Sequence, residues 1–485
     1  MIDPKLHSVF HQAMLSKDAR FDGRFFTAVK TTGVYCRPVC PAKAKPENMI
    51  FYETAAEAEQ AGFRPCLRCR PESAPGSAAW VGSVSIVKRA LKHIESEDFF
   101  SLSEDEFAGK FGMSARHLRR MFNESLGRTP KQLAINHRLN FSRKLVLETS
   151  LPIIDIAFSS GFESLRRFND AFKKRFCRSP RDFRCKLAPD AEGEEITLQL
   201  SYRPPFHWSG LLRFYRDHHV GGIEEIDDDS YTRYTASGDS LAIIRVKNAP
   251  ERNALLLNIS GARTQSFHSI ANRIRSMFDL DADPLTIEQS LGKYEPFGTL
   301  TKKYPGLRLP GGWDRFETCI YSILGQLVSI TQARALAKQL VEQYGEIYPH
   351  SIAAAEGRLF PSPAKLATCD LARLKTTANR KNTIRGFSQW AAEGGLDKLA
   401  YMPQDERVRT LLSLKGIGKW TAEVIGLRAF CDTDSMPKTD LILKRALEQF
   451  PKLDPEKLRP WGSYAAMLLW REYAGVLSKS KTPTA

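Results

Sequence analysis

Long apolar runs are missing from this sequence of 485 residues. A membrane-spanning helix needs about 20 mostly apolar residues in succession, and no stretch of the sequence approaches that length. The first residues, Met-Ile-Asp-Pro-Lys-Leu-His, also lack the apolar core of a secretory signal peptide. We therefore expect a soluble protein of the cytoplasm that has no membrane partner.

Acidic residues are fewer than basic ones. The chain has 55 Asp and Glu against 71 Lys and Arg, which gives a net charge of +16 and an isoelectric point of about 9.4. Such a charge is typical of a protein that binds a polyanion, and nucleic acid is the first partner that it suggests. A basic protein with no special partner is the alternative, because charge alone does not exclude it.

Cysteine is scarce outside one segment. Four of the nine cysteines lie between positions 36 and 69, and the other five are scattered as ordinary thiols. In a reducing compartment, clustered cysteines bind metal more often than they form disulfides. Cys36-x3-Cys40 and Cys66-x2-Cys69 have the spacing that closes a tetrahedral site, so we predict one zinc ion bound by these residues. Spacing alone favours a structural zinc.

The residues around these pairs change that interpretation. Lys30-Thr-Thr-Gly-Val-Tyr-Cys36 and Gly62-Phe-Arg-Pro-Cys66-Leu-Arg-Cys69 resemble the N-terminal domain of the Ada family of bacterial adaptive-response regulators. The resemblance implies that Cys36 accepts a methyl group from a methylphosphotriester in DNA. The residues that it places close to the DNA backbone are Thr32, Arg64 and Arg68.

A zinc-bound cysteine suits such a reaction on physical grounds. Zinc keeps the thiol deprotonated at neutral pH, so the sulfur remains a nucleophile towards an electrophilic carbon. Four thiolates around one zinc carry a net negative charge, and methylation of one thiolate makes that charge smaller. The site would then repel DNA phosphates less. It is therefore a candidate switch that raises DNA affinity after damage, in a salt-dependent way.

A stretch rich in Pro, Ser, Ala and Gly (residues 71–83) indicates a linker, and helical periodicity follows it to about residue 186. Two segments share the pattern of helix, glycine turn and helix: residues 102–123, with Gly112 and Ser114, and residues 153–176, with Gly161 and Ser164. Both serines are suitable N-caps for the second helix of their segment. Either second helix is a candidate for the major groove of DNA.

These segments, joined by a long amphipathic stretch (residues 131–148), resemble the AraC-type DNA-binding domain, most clearly from Ile153 to Phe176. Basic helices are often only solvated surfaces, but two adjacent copies with turn glycines favour DNA binding. The residues that we predict to contact DNA are Arg116, His117, Arg119, Arg120, Ser164, Arg166 and Arg167. The resemblance to a regulator implies promoter DNA and RNA polymerase as partners.

After an acidic linker, the apolar residues recur with a period of two. Residues from Ile196 to Tyr202 alternate as in a half-buried strand, and residues 241–246 and 255–259 are further strand candidates. We predict an antiparallel sheet with a helix near residues 266–278. We assign this part of the chain no chemistry of its own.

A glycine hairpin near the C-terminus organises the last part of the chain. Leu414-Lys-Gly-Ile-Gly-Lys-Trp-Thr-Ala422 lies between two helical patterns, which predicts a helix, a hairpin and a second helix. Gly416 and Gly418 can adopt backbone angles that other residues resist, and they let a phosphate approach the amides at a helix N-terminus. We therefore predict that these glycines and Lys419 bind one DNA strand.

With Met436-Pro-Lys-Thr-Asp440, this hairpin resembles the helix-hairpin-helix DNA glycosylases, and among them the 3-methyladenine DNA glycosylase II family. The resemblance makes Asp440 the catalytic residue. Glycosylases that also cleave the strand have a nucleophilic Lys where this chain has Trp420, so a monofunctional enzyme is implied. The sequence departs from the family at Lys415, where proline is usual, and at Val424, where a tyrosine lines the pocket.

The chemistry explains these residue types. Cleavage of an N-glycosidic bond develops positive charge on the sugar, and a carboxylate can stabilise it or deprotonate an attacking water. The flipped base needs aromatic faces, and the resemblance implies Trp420 and Trp470, which would attract a cationic alkylated purine. Taken alone, a Gly-x-Gly sequence is a common turn. A lone Asp after a proline is more often a helix cap than a catalytic residue. Their combination here favours catalysis by Asp440.

The resemblance extends to Pro305-Gly-Leu-Arg-Leu-Pro-Gly-Gly-Trp-Asp-Arg-Phe-Glu317 and Ile323-Leu-Gly-Gln-Leu-Val-Ser329. Leu327 lies at helical spacing from Ile323, so an ordinary core position is its first interpretation. The resemblance implies instead a wedge that fills the gap left by the flipped nucleotide. It also implies an alkali-metal ion at the hairpin, bound by the carbonyls near Leu412, Leu414 and Ile417.

We therefore expect a multidomain protein, mainly α with α+β parts. The predicted domains are a zinc methyl-acceptor domain (1–75), an AraC-type DNA-binding domain (84–186), an antiparallel α/β domain (194–300) and a helix-hairpin-helix glycosylase core (301–480). The Pro-Cys-His-Arg site that marks the second methyltransferase domain of complete Ada regulators is not found in the sequence.

The expected function joins two activities in a monomer that binds double-stranded DNA. One is excision of alkylated bases such as 3-methyladenine, and the other is methyl sensing with activation of transcription. The alternative is an alkylation-responsive activator whose C-terminal half only binds DNA. Asp440 with Trp420 and Trp470 favours the enzyme, because a DNA-binding scaffold has no need of a carboxylate facing phosphates.

Overall fold

The computed structural model describes residues 4–42, 44–66, 69, 71, 85–95, 99, 102–149, 151–184, 195–237, 240–346 and 358–479. The chain forms two compact units. The first comprises Met1–Pro204, Ser237–Arg275 and Leu280–Asp283, and the second comprises Pro205–Ala236, Ser276–Asp279 and Pro284–Ala485. Among the described helices, none has both the length and the apolar character needed to cross a bilayer.

The first unit begins with a small sheet and two helices. The elements are α1 (Pro4–Leu15), β1 (Phe26–Val29), β2 (Val34–Cys36), β3 (Met49–Tyr52), α2 (Ala55–Gln60) and β4 (Arg64–Pro65). The strand order is β3-β1-β2-β4, with β1 antiparallel to β2 and β3, and β2 parallel to β4. Phe10 of α1 stacks on Phe25, with ring centroids 4.2 Å apart, and anchors the helix to the sheet. The β2–β4 pairing brings the ends of these two strands together.

Helices follow in the first unit. They are α3 (Ser85–Glu95), α4 (Glu104–Gly109), α5 (Ala115–Leu126), α6 (Pro130–Glu148), α7 (Ile153–Ser159), α8 (Leu165–Phe176) and α9 (Pro180–Phe183). Ser114 and Ser164 cap α5 and α8, each accepting a hydrogen bond from the backbone N–H three residues later. Gly112 and Gly161 have φ values of 72° and 75°, which only glycine adopts readily. The two predicted helix, turn and helix segments are confirmed.

The next part of the chain contributes to both units. Its elements are β5 (Glu195–Ser201), α10 (Trp208–His218), β6 (Glu224–Ile226), β7 (Ser230–Ser237), β8 (Ser240–Ala249), β9 (Ala254–Ser260) and α11 (Phe267–Met277). In the first unit, β9 lies between β5 and β8 and pairs antiparallel with both. In the second unit, β6 pairs antiparallel with β7. The predicted antiparallel strands and the helix near residues 266–278 are confirmed, whereas α10, β6 and β7 were not foreseen.

The rest of the second unit is helical. Its helices are α12 (Pro284–Leu291), α13 (Phe297–Lys303), α14 (Arg315–Leu324), α15 (Ile330–Tyr344), α16 (Pro363–Thr368), α17 (Ala378–Ala392), α18 (Gly395–Tyr401), α19 (Gln404–Ser413), α20 (Lys419–Ala429), α21 (Leu441–Glu448) and α22 (Gly462–Lys479). Ile320 and Ile323 of α14 pack with Ile384 of α17 and Ile425 of α20 in one apolar core. This core fixes the hairpin between α19 and α20.

The observed elements confirm the expected class, a multidomain protein that is mainly helical and has small sheets. The boundaries of the four domains stay a prediction.

Candidate metal centre and active site

The four cysteines meet beside β2 and β4. Cys36 ends β2, and Cys66 directly follows β4. The backbone N–H of Cys66 donates to the Tyr35 carbonyl at 2.9 Å, and that of Arg37 donates to the Cys69 sulfur at 3.3 Å. All four sulfur atoms lie within 4.8 Å of one another. The strand pairing therefore builds the cluster from two distant parts of the sequence.

This cluster fits a zinc ion. A tetrahedral zinc with Zn–S bonds of about 2.3 Å places its sulfur ligands about 3.8 Å apart, which agrees with the close spacing here. The donors are thiols without a carboxylate among them, a set that favours zinc over magnesium or calcium. Cys36, Cys40, Cys66 and Cys69 are therefore placed to bind one zinc ion, in agreement with the prediction. Their exposed fractions lie between 1% and 7%, so burial does not single out Cys36 as the methyl acceptor.

The surroundings of the cluster include cations. Thr32 and Arg64 are exposed, while Arg68 lies outside the described residues. Arg37 is buried beside the cluster, where its guanidinium pairs with Asp22 and donates to the Cys69 carbonyl at 3.3 Å. The sequence analysis did not single out Arg37, because an arginine next to a cysteine gives no signal of its partner.

Glu59 on α2 connects the zinc centre to the second helix-turn-helix segment. Its carboxylate accepts hydrogen bonds from Arg175 of α8 at 2.6 and 2.9 Å, and from the Tyr35 hydroxyl at 2.7 Å. Arg143 of α6 donates to the carbonyl of Cys66 at 3.0 Å. These contacts join residues far apart in sequence. The zinc-binding part and the helix-turn-helix part therefore pack directly against each other within the first unit.

The predicted DNA contacts of the helix-turn-helix segments lie on the surface of α5 and α8. The exposed side chains are Arg116, His117, Arg119, Arg120, Arg166 and Arg167. Arg119 pairs with Glu104 at 3.0 Å and Arg167 with Glu163 at 2.6 Å, exposed ion pairs that a phosphate can replace at little energetic cost. The Ser164 hydroxyl accepts the Arg167 N–H and so serves first as the N-cap of α8.

The glycine hairpin connects α19 to α20. Gly416 has a φ of 86°, and a Cβ at this position would overlap the Thr383 hydroxyl. Gly418 has a φ of −91° in the extended region, so the expectation of an unusual backbone angle is wrong for this residue. A Cβ on Gly418 would enter open space. Gly418 and Lys419 are exposed at the N-terminus of α20, where the first backbone N–H groups have no intrahelical partner.

Asp440 is both a helix cap and the centre of a polar site. As the N-cap of α21, its Oδ1 accepts the backbone N–H groups of Ile442 and Leu443 at 3.0 and 3.2 Å. Trp470 Nε1 donates to the same oxygen at 2.9 Å, and Trp420 Nε1 donates to Oδ2 at 3.0 Å. Asp440 therefore joins the two tryptophans that the resemblance had implied. Within the described residues, Oδ1 accepts three hydrogen bonds and Oδ2 accepts one.

The two tryptophans are half-buried and come from separate helices, Trp420 from the first turn of α20 and Trp470 from α22. The Asp440 carboxylate accepts both indole N–H groups and so restricts the orientation of both rings. Gly325 lies beside Trp420, since a Cβ there would be in ordinary van der Waals contact with its Cη2 atom, at 3.8 Å. Val424 is 9% exposed. A buried aliphatic side chain therefore stands here in place of the tyrosine that the resemblance implies.

Leu327 projects fully into solvent. Its exposed fraction is 103%, and its φ is 54°. The helical spacing that favoured a core position ends too early, because α14 stops at Leu324 and the chain turns before α15. The core interpretation of Leu327 is therefore wrong, and the exposure that a wedge needs is present.

Three further polar residues near the site were missed by the sequence analysis. Gln326 Nε2 donates to the Gly416 carbonyl and to the Thr421 hydroxyl, both at 2.9 Å. Arg380 of α17 donates to the Gln326 carbonyl. Burial raises the pKa of Glu423 to about 7, although Lys419 and Lys438 oppose the shift. The motif Ile-Leu-Gly-Gln-Leu contained Gln326, but no sequence signal connects it to Arg380.

Comparison with protein families agrees with this architecture. The metal binding domain of Ada matches residues 10–72, a helix-turn-helix domain matches residues 107–186, and the AlkA N-terminal domain matches residues 197–314. The first match contains all four zinc ligands, and the second contains α5 and α8.

Curated relatives match either nearly the whole chain or a part of it. A probable bifunctional transcriptional activator/DNA repair enzyme AlkA of Mycobacterium tuberculosis is 34% identical over 474 residues, which are 95% of each chain. DNA-3-methyladenine glycosylase 2 of Escherichia coli is 30% identical over 56% of this chain and 95% of its own length. The bifunctional enzyme Ada of E. coli is 41% identical over 25% of this chain and 33% of its own length.

The relative that matches 95% of the chain and the three matched domains indicate the same family. The thiol cluster and the helix-turn-helix elements of the structure agree with it. The chain belongs to the family of bifunctional transcriptional activator/DNA repair enzymes in which Ada zinc-binding and helix-turn-helix domains are joined to an AlkA-type DNA glycosylase.

Proposed function

We propose that the second unit is a monofunctional glycosylase that hydrolyses the N-glycosidic bond of alkylated bases, 3-methyladenine and related purines among them. The observation that carries this proposal is the carboxylate of Asp440, held by the indole N–H groups of Trp420 and Trp470 at 3.0 and 2.9 Å. The name of the E. coli relative supports 3-methyladenine as a substrate.

The reaction requires one bond to break and one to form. As the bond between the sugar C1′ and the base nitrogen breaks, its electron pair leaves with the base, and a base that was cationic departs neutral. The Asp440 carboxylate stabilises the positive charge on the sugar. A water molecule then bonds to C1′ and gives its proton to Asp440. The site of the nucleophilic lysine found in strand-cleaving glycosylases is occupied by Trp420, so the abasic strand is left intact.

Damaged bases are selected by charge and by their weak stacking. An alkylated purine carries a positive charge, which the faces of the two indoles attract. The carboxylate between the indoles adds to the attraction. A normal purine is neutral, so the indole faces and the carboxylate attract it less strongly. Damaged or mismatched bases also leave the stack at lower cost.

The DNA is bound on both sides of the extruded nucleotide. Leu327 enters the gap left by the flipped base, and its full exposure supports this role. Gly416, Gly418 and Lys419 hold one strand through backbone N–H groups and charge. We also propose an alkali-metal ion at the hairpin, bound by the carbonyls near Leu412, Leu414 and Ile417.

The test is release of free bases from methylated duplex DNA by the full chain and by Asp440→Asn. We expect 3-methyladenine from the parent and none from the variant. The control is Asp454→Asn, which removes another N-cap carboxylate, an exposed one that accepts the Glu456 N–H at 3.0 Å. Release by Asp440→Asn would refute the role of Asp440. No release by any of the proteins would leave the regulator as the better description of the second unit.

We further propose that Cys36 takes one methyl group from a methylphosphotriester. The sulfur attacks the methyl carbon, the bond between that carbon and the phosphate oxygen breaks, and the phosphate leaves as a diester anion. The bound zinc would keep the sulfur deprotonated. Peptide mass spectrometry after exposure to methylated DNA should place the methyl group on Cys36. Because Cys40 is equally buried, a methyl group on Cys40 would show that the assignment is wrong.

Regulation completes the proposal. The exposed basic side chains of α5 and α8 bind promoter DNA, and the protein acts as a monomer that recruits RNA polymerase. The basic surface and the two N-capped helices support the DNA contact. Footprinting on promoters of alkylation-response genes, with Arg166→Ala and Arg167→Ala as the variants, tests it.

A further inference from the structure

Leu327 has a backbone conformation that requires support from other residues. Its φ of 54° lies in the left-handed region, which is strained for a leucine. Its side chain is fully exposed, so no burial compensates for the strain. Such a conformation persists only where the surrounding structure determines it. The residues that fix this turn therefore decide where Leu327 points.

The residue before Leu327 is tied to the hairpin. The Gln326 Nε2 group donates at 2.9 Å to the Gly416 carbonyl, which belongs to the DNA-binding turn. It donates at the same distance to the hydroxyl of Thr421, the neighbour of Trp420. One amide group thus connects the turn of Leu327 with the hairpin and with the residue that follows Trp420.

Arg380 holds Gln326 from the other side. It lies in the first turn of α17, where Nη2 donates to the Gln326 carbonyl and Nη1 donates to the Thr376 hydroxyl at 2.7 Å. Burial lowers the pKa of Arg380, and no carboxylate pairs with it among the described residues. Both terminal nitrogens of its guanidinium group are therefore oriented by neutral acceptors. A rigid fork between α17 and the Leu327 turn results.

We propose that Arg380 and Gln326 are positioning residues that hold Leu327 at the depth and angle needed to fill the gap beside the flipped nucleotide. The inference rests on the proposed glycosylase function. Arg380 acts through the Gln326 carbonyl, and Gln326 transmits that position to the hairpin through Gly416 and Thr421. Precise catalytic geometry depends on such supporting contacts, and small displacements lower rates strongly.

The test compares single-turnover base excision by the parent, Arg380→Met, Leu327→Ala and the double variant. The control is Arg385→Met, which removes an exposed arginine from the same helix. Each protein acts on 3-methyladenine in two duplexes, one with thymine and one with an abasic site opposite the lesion. The second duplex needs less help to extrude the base, because the lesion is already unpaired. Thermal unfolding midpoints show whether each variant is folded.

We expect Arg380→Met to slow excision from the paired duplex on the order of tenfold or more. The rate should return to within about threefold of the parent rate when the lesion faces an abasic site. Leu327→Ala should show the same pattern, and the double variant should stay within about threefold of Leu327→Ala, because both changes remove one function. Arg385→Met should match the parent on both duplexes.

Three results would overturn the inference, and a fourth would overturn the proposed function on which it rests. If Arg380→Met excises the base at the parent rate while Leu327→Ala is slow, the positioning role of Arg380 is refuted and the role of Leu327 is not. A double variant whose loss is the product of the two single losses would show that Arg380 acts elsewhere. Loss of excision from both duplexes by Arg380→Met would assign it a general structural role. Absence of base release by the parent would instead refute the proposed glycosylase function.

Discussion

Asp440 has the structural role that its sequence context favoured, and the proposed mechanism gives it a chemical role as well. The Pro-Lys-Thr-Asp turn favoured a helix cap, and Asp440 does cap α21 through Oδ1. The same carboxylate accepts the N–H groups of Trp420 and Trp470, which no local pattern predicts. The cap fixes one oxygen by backbone geometry. The other oxygen, Oδ2, accepts the indole N–H of Trp420.

Glu423 offers a test of the electrostatics around this site. Burial raises its pKa to about 7, whereas an unfolded glutamate titrates near 4.5. The folded protein therefore binds this proton more tightly than the unfolded chain, and the ionised carboxylate destabilises the fold as pH rises from about 4.5 through 7. Glu423→Gln should raise the thermal midpoint of the second unit more at pH 8 than at pH 5, as measured by calorimetry.

The control for Glu423 is Glu448→Gln, which removes an exposed carboxylate on α21. Its midpoint should differ from that of the parent by the same small amount at both pH values. An equal shift for Glu423→Gln at pH 5 and pH 8 would contradict a raised pKa for this residue.

At the scale of elements, the hairpin between α19 and α20 was the most predictable feature. Two glycines around an isoleucine, between two helical patterns, defined its ends within a few residues. The separate roles of the glycines were not predictable, because they depend on Thr383, a residue of another helix. Gly416 is required by its left-handed backbone, whereas Gly418 leaves open space in front of α20.

These roles predict different effects of adding one methyl group. Gly416→Ala should destabilise the second unit by about 1–3 kcal/mol, because the alanine meets both a positive φ and the Thr383 hydroxyl. Gly418→Ala should leave the unfolding midpoint close to that of the parent and lower affinity for duplex DNA, since its Cβ would stand where a phosphate approaches. Denaturant titration and binding to an abasic-site duplex separate the two. Equal destabilisation by both would contradict this assignment.

The helix-turn-helix elements were equally visible in the sequence, since Ser114 and Ser164 combine with turn glycines at fixed positions. The contact between the zinc centre and these helices was not visible. Glu59 and Arg175 are far apart in sequence. From the sequence alone, each is expected on the solvent-exposed face of an amphipathic helix. Only the fold brings them within 2.6 Å.

At the scale of the molecule, the two candidate chemistries lie in different compact units. All four zinc ligands belong to the first, and Asp440, both tryptophans and Leu327 belong to the second. Domain order followed from motif order along the chain. The division of residues 195–283 between the two units could not be predicted from the motif order, because the strands and helices of that stretch alternate between the units.

Removal of zinc tests this division. A chelator leaves four buried thiols without their ion, and the Cys66 carbonyl that accepts from Arg143 then loses its support. Limited proteolysis should therefore cut the first unit faster, and promoter binding should fall. Base release should stay within about twofold of the untreated rate, because Cys36, Cys40, Cys66 and Cys69 all lie in the first unit. Equal loss of both activities would contradict separate sites.

We propose that one chain carries two separable responses to alkylation. The most direct measurement exposes the parent and Asp440→Asn to the same methylated duplex, then determines free bases and the mass of the Cys36 peptide in each sample. We predict that the parent releases 3-methyladenine and gains a methyl group on Cys36. The variant should gain the methyl group and release no base. Base release by Asp440→Asn, or its failure to be methylated, would contradict the account.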